Sequence, residues 1–255
     1  METYLRRYND IILKYRKGDF GESHFSLYEI LSKAGDAKLI DKMCLSELKK
    51  LYSDSFGISK HMFGLLIERK IKELQKMDTL EKELQTYCIN QYCENGTLSA
   101  ESLAKKLKLA VHYCSSDELP DDVEATLSAS DAEEYFGEIK VLNESVQKFS
   151  FMHEIIHYFR DVGVGERVTC TYTRKRQGKT ESEEEQEVNY LTAAAIMPFD
   201  EIVKKLDLYE KTNDDDTFII QLAEEYSQIK SAAMRRFIEV RKLFDYRELY
   251  DITNA

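Results

Sequence analysis

Between Phe149 and Phe159 the chain is apolar on most sides of a helix: Phe149, Met152, Ile156 and Phe159 line one side, and Phe151, Ile155 and Tyr158 another. A helix with that pattern is buried. The same stretch carries His153, Glu154 and His157. Ionisable groups are rarely buried unless paired or bound to a metal. The chain must therefore fold around a buried helix, predicted over Val146–Phe159, that turns three polar groups into one interior site. His153-Glu154-Ile155-Ile156-His157 spells H-E-x-x-H, the pattern of zinc peptidases. Residues i and i+4 share a helix face, so both imidazoles can ligate one ion. Glu154 can then point at a water on that ion, whose pKa zinc draws towards neutrality, and accept its proton. A catalytic zinc keeps three protein ligands and leaves the fourth position for water. The third ligand is open among His112, His61, His24, the cysteines and the downstream carboxylates.

A length of 255 residues allows one large domain or two small ones, and 43% hydrophobic residues suffice for a core. A formal net charge of -11 argues against a general nucleic-acid or membrane-surface binder, which needs a basic footprint. With 2 Pro and 10 Gly the chain has few breakers, so long helices are expected. Met1-Glu2-Thr3-Tyr4-Leu5-Arg6-Arg7 does not lead into an apolar stretch. No run approaches the roughly 18 apolar residues that a membrane helix needs. The five cysteines (Cys44, Cys88, Cys93, Cys114, Cys170) lack disulfide-scaffold or C-x-x-C spacing and read as reduced thiols. A cytoplasmic protein is expected.

Residues 1–95 read as successive helices. The clearest is predicted over 60–92, where Phe63, Leu66, Ile67, Ile71, Leu74, Met77, Leu80, Leu84 and Tyr87 form one apolar stripe suited to docking on the protein's own core, with Gly96 as a stop signal. From Leu98 a short helix through Leu103, Ala104 and Leu107 precedes a strand at Val111–Cys114. A turn at Leu119–Asp122 and an alternating segment at Glu138–Asn143, like a strand edge, complete a small β-element before the motif helix. Val168–Thr173 reads as a strand and Arg174–Lys179 as a basic hairpin tip, with a flap beside the site as the alternative. A helix is predicted over Glu181–Met197, opening with five Glu in seven positions, which suits a helix N-terminus. Pro198 ends it. Two further helices follow, marked by Phe218, Ile219, Leu222 and Tyr226, and by Met234, Phe237, Ile238 and Phe244.

Two phrases together resemble the ImmA/IrrE family of metallopeptidases. Phe149–His157 is similar to the family's F-T-x-A-H-E-x-x-H. Glu187-Val188-Asn189-Tyr190-Leu191-Thr192-Ala193-Ala194-Ala195-Ile196-Met197-Pro198 follows E-A-N-x-F-A-A-x-L-L-M-P without a gap, matching at Glu187, Asn189, Ala193, Met197 and Pro198. Val188, Leu191, Thr192 and Ile196 are small departures. The resemblance covers about 98–245 and leaves residues 1–95 unexplained. It implies a zincin-like metallopeptidase core with a small β-sheet at 96–255; with the helical reading of residues 1–95 as an N-terminal domain, the expected fold is α+β and mainly helical. The resemblance also implies zinc on His153, His157 and Glu187, with Glu154 as general base. Glu183 and Glu184, one turn earlier, remain alternatives to Glu187. Tyr158, Tyr172 and Tyr190 are candidate donors to a tetrahedral oxyanion.

The expected function is a zinc-dependent endopeptidase that cuts a specific cytosolic regulatory protein such as a repressor, with residues 1–95 recognising the target or regulating access. The alternative is a metal-containing regulatory module that works by protein–protein contacts without cleavage. Gln221–Leu243 has a helix–turn–helix look, and Arg235, Arg236, Arg241 and Lys242 lend it some charge. Glu224, Glu225 and Glu239 oppose that charge and argue against direct nucleic-acid binding.

Overall fold

The structure is a computed structural model that describes residues 41–54, 57–87, 93–94, 97–98, 103–104, 106–115, 118, 123–129, 137–142, 147–161, 170–175, 182–212 and 215–250. Over these the chain is mainly helical with a small mixed sheet, the α+β class that the sequence predicts. It divides into two compact units. One comprises Thr79–Glu201 and Ile219–Arg236; the other holds the described residues up to Asp78, Ile202–Phe218, and those from Phe237 on. The partition differs from the sequence-based division at 95/96, which falls inside the first unit. The physical reason lies in helix α2 (Gly57–Thr86), whose last turns carry Leu80 and Leu84 and lead to Tyr87, all packed into the core of that first unit. None of the nine stripe residues from Phe63 to Tyr87 is exposed.

In the first unit, α2 is followed by a two-stranded pair, β1 (Cys93–Glu94) and β2 (Thr97–Leu98), in antiparallel register Glu94↔Thr97. Asn95-Gly96 falls between these paired residues. Gly96, read from sequence as a helix stop, lies outside the described residues. A four-stranded sheet follows, ordered β3-β5-β4-β6: β3 (Leu109–Cys114), β5 (Gly137–Leu142), β4 (Val123–Ala129) and β6 (Cys170–Lys175). β3 and β5 run parallel, and β4 is antiparallel to both β5 and β6. β5, whose pattern resembled an edge, lies inside the sheet. β4 was not expected, although Val123, Ala125 and Leu127 are buried and Ser128 exposed, the period of two of a half-buried strand. Arg174 and Lys175, expected in a turn, close β6; the rest of the supposed hairpin tip lies outside the described residues.

The motif helix α3 (Gln147–Asp161) packs across β4, β5 and β6, and against α4 (Glu183–Ile196). Phe151, Met152, Ile155, Ile156 and Phe159 from α3 share one core with Ala125 and Leu127 from the sheet and with Val188, Leu191 and Ala195 from α4. Ser182 caps α4, its Oγ accepting from the Glu185 amide at 3.2 Å. At the other end the Met197 amide donates to the Ala193 carbonyl at 2.9 Å, and Pro198 separates α4 from α5 (Phe199–Thr212). Helices α6 (Asp215–Glu225) and α7 (Lys230–Leu249) follow. α6 ends in a Schellman turn, in which the Gln228 amide donates to the Ala223 carbonyl at 2.8 Å and the Ser227 amide to the Glu224 carbonyl at 3.2 Å. Ser227 takes the left-handed conformation this turn requires, with φ 51°.

The second unit contains α1 (Leu45–Asp54), most of α2, and α7 from Phe237 on. Its α7 carries Arg241, Lys242 and Arg247, which pair with Glu47 (3.8 Å), Glu73 (3.3 Å) and Asp78 (2.8 Å). Lys70 also bonds Glu73, at 3.0 Å. No helix among the described residues is long and apolar enough to cross a membrane.

Candidate metal centre

Helix α3 sets His153 and His157 one turn apart on the same face. Their rings meet edge to face with centroids 4.8 Å apart, and the two Nε2 atoms are separated by 3.2 Å. Phe149 flanks His153, with ring centroids 6.5 Å apart. The core that buries the apolar residues of α3 buries its polar ones too: His153 and Glu154 are fully enclosed, and His157 nearly so. The conflict that the sequence shows between an apolar helix and three ionisable groups is thus present in the fold.

The carboxylate facing the imidazoles belongs to Glu185, in the first turn of α4. Its Oε2 lies 3.2 Å from His153 Nε2 and its Oε1 3.1 Å from His157 Nε2. Glu187, the ligand expected from the family phrase, instead accepts from Arg160. Arg160 sits one turn beyond His157, and its Nε is 3.4 Å from Glu83 Oε1. Of the alternatives, Glu183 is exposed, and Glu184 lies with His157 and Asp161 in a second, more exposed group. Glu185 was not singled out from sequence, yet the helix phase distinguishes it from Glu187. Val188, Leu191 and Ala195 form the buried stripe of α4. Glu184 and Glu185 precede Val188 by four and three residues and share its face, whereas Glu187 is its immediate neighbour and points about 100° away.

The donor set fits a metal. Two ligands bound at about 2.0–2.1 Å in a tetrahedral arrangement lie roughly 3.4 Å apart. Here the two Nε2 atoms are 3.2 Å apart, and Glu185 meets them with one oxygen each, so that one ligand atom from each of the three residues lies within 4.8 Å of the others, close enough to share one ion. Two neutral imidazole nitrogens and one carboxylate suit zinc and other first-row divalent ions. The Glu185 side chain is 43% exposed while that of His153 is fully buried, so the cluster is closed on the α3 side and open on the α4 side. An open position is what distinguishes a catalytic zinc site from a structural one.

The other candidates lie elsewhere. His61 and His112 are exposed, and Cys44 is buried in the second unit, where burial pushes its thiol up to about 12. His24, Cys88 and the Tyr172 side chain lie outside the described residues. Tyr158 is buried in the core. The Tyr190 hydroxyl donates to Glu81 Oε1 at 2.8 Å. Glu81 also accepts from Arg236 at 2.7 Å, and Arg236 Nε donates to the Met197 carbonyl at 3.0 Å. Neither Arg236 nor Glu81 was singled out for this role from sequence, where Arg236 counted as part of a basic face.

Residues 140–237 match the family model of peptidase M78, described as the IrrE N-terminal-like domain. No curated protein and no solved structure matches the chain.

Proposed function

Because residues 140–237 form an IrrE N-terminal-like domain of the ImmA/IrrE family of metallopeptidases, we propose that the chain is a zinc-dependent endopeptidase acting on a specific regulatory protein such as a repressor. The observation that carries this reading is the cluster of His153, His157 and Glu185, whose ligand atoms lie within 4.8 Å of one another beside the buried Glu154. In this reading those three residues hold the ion. Zinc, when bound, supplies Lewis-acid polarisation of the scissile carbonyl and acidifies a water molecule. Glu154 is the general base: its carboxylate takes a proton from the attacking water and returns it to the amine nitrogen as the peptide C–N bond breaks. Its burial strengthens each electrostatic interaction it makes. The Glu185 carboxylate partly offsets the charge of a divalent ion, and the solvent-facing side of the cluster is where a peptide enters. Residues 1–95 recognise the target or regulate access.

The test is Glu154→Gln in the full chain, with regulatory proteins such as repressors as candidate substrates. Cleavage falls by at least about 100-fold, the usual share of a general base, while zinc content stays at the wild-type value. Removing zinc with a chelator abolishes cleavage and adding it back restores it. Cleavage by Glu154→Gln at the wild-type rate contradicts the reading. The same variant separates out the non-proteolytic alternative, in which partner binding persists and no substrate is cut by either protein. A nucleic-acid reading draws little support from α7, because Arg236, Arg241 and Lys242 are buried in ion pairs with Glu81, Glu47 and Glu73.

A further inference from the structure

We infer that Arg160 is a positioning residue for the metal centre: together with Glu187 and Glu83, it sets where α4 stands against the imidazole pair. This rests on the metal-site reading and deepens it. Arg160 lies three residues after His157, on the same face of α3. Its guanidinium donates to Glu187, two residues beyond Glu185 on α4, and its Nε stands 3.4 Å from Glu83 on α2. One planar group thus ties three helices together. Guanidinium suits this task, because its fork of donors is rigid and it stays charged. The side chains of Arg160, Glu187 and Glu83 are 24%, 18% and 27% exposed, so these pairs are less screened than surface ones. Glu83 is itself held: the Tyr87 hydroxyl donates to it, and the Tyr87 ring packs on Phe159 at 5.6 Å.

Glu185 needs such support. It sits in the first turn of α4 with a partly exposed side chain, and helix ends fray. The Arg160–Glu187 bond fixes α4 to α3 within one turn of Glu185 and three residues from His157. Loosening it leaves the donor set unchanged but lets the Glu185 carboxylate wander from the imidazoles. Outer groups that orient ligands in this way typically govern metal affinity by about 10–100-fold.

The experiment is a cobalt(II) titration of the full chain against a competing chelator, reading the d–d absorption, with a thermal melt of each metal-free protein alongside. Arg160→Gln and Glu187→Gln are each expected to bind about one cobalt with the wild-type spectrum and an affinity about 10–100-fold weaker. The double variant is expected to be no weaker than the worse single one, because both remove the same tie. Glu185→Gln is expected to change the spectrum. Glu187→Gln keeps the size of the side chain and carries the comparison if Arg160→Gln does not fold. Unchanged cobalt affinity with a lowered metal-free melting temperature would show a merely structural tie and overturn the inference. A spectrum altered by Glu187→Gln but kept by Glu185→Gln would overturn it by making Glu187 the ligand. A wild-type chain that takes up no cobalt sinks the metal-site reading itself.

Discussion

Glu81 is a single carboxylate on which two donors converge. It is buried, accepts from both Arg236 and Tyr190, and faces a guanidinium that is completely enclosed. Arg236 also lies over the Tyr190 ring, its Cζ 5.3 Å from the centroid, and bonds the last turn of α4 through the Met197 carbonyl. Removing one member of a buried ion pair leaves the other charge uncompensated in low dielectric, which costs more than the pair contributes when intact. Glu81→Leu is therefore expected to destabilise the chain by about 3–5 kcal/mol, measured by urea denaturation. A loss below about 1 kcal/mol, the scale of an exposed pair, would mean that the guanidinium finds water or another partner. The residue scale is also where sequence reading was least complete. His153, Glu154 and His157 were legible because their spacing is local to one helix. The choice among Glu183, Glu184, Glu185 and Glu187 was not, because all four side chains are chemically alike and only the phase of α4 against α3 separates them. Aligning the family phrase led to Glu187, whose carboxylate the structure gives to Arg160.

At the scale of elements, most helices were legible from their stripes, but α5, with Phe199, Ile202 and Leu206 buried, was not singled out. The motif helix and α4 were predicted within about two residues of their observed ends. β4 went unread because its alternating residues, Val-Glu-Ala-Thr-Leu-Ser-Ala, include two alanines and only two large apolar side chains. Such a strand gains its identity from pairing with β5 and β6, which a single sequence does not display. The link between α6 and α7 shows the converse, a local demand met by an unusual residue. Ser227 holds φ 51° at the position where a Schellman turn favours glycine. A side chain there costs roughly 1–2 kcal/mol of backbone strain, partly offset by the extra freedom glycine has when unfolded. Ser227→Gly is expected to stabilise the chain by about 0.5–1 kcal/mol, read as a rise in melting temperature with metal affinity unchanged. A lower melting temperature would mean that the serine side chain contributes more than the strain costs.

For the whole molecule, the sequence disclosed the fold class and the family, whereas the structure divides the chain elsewhere than the sequence suggests. Composition pointed to long helices, and the α+β fold with a small sheet follows. The sequence suggested a cut near residue 95, where the helical stripe ends and shorter elements begin. The fold instead assigns Thr79–Tyr87 to the unit that holds the metal centre, through Leu80, Leu84 and Tyr87 in its core and Glu81 and Glu83 in its ionic ties. The matched segment 140–237 thus leaves out the first part of the unit that holds the candidate site, from Thr79 on, and takes in Ile202–Phe218 of the other. Long-range pairs such as Glu81–Arg236 leave no periodic trace in the chain, which is why this brace was not visible beforehand. The most direct test of the account is an anomalous-difference map from crystals of the full chain grown with zinc, recorded at the zinc absorption edge. The account predicts one strong peak between the Nε2 atoms of His153 and His157, with Glu185 as the third protein ligand and Glu187 on Arg160. A peak ligated by Glu187, or no peak at the imidazole pair, would contradict it.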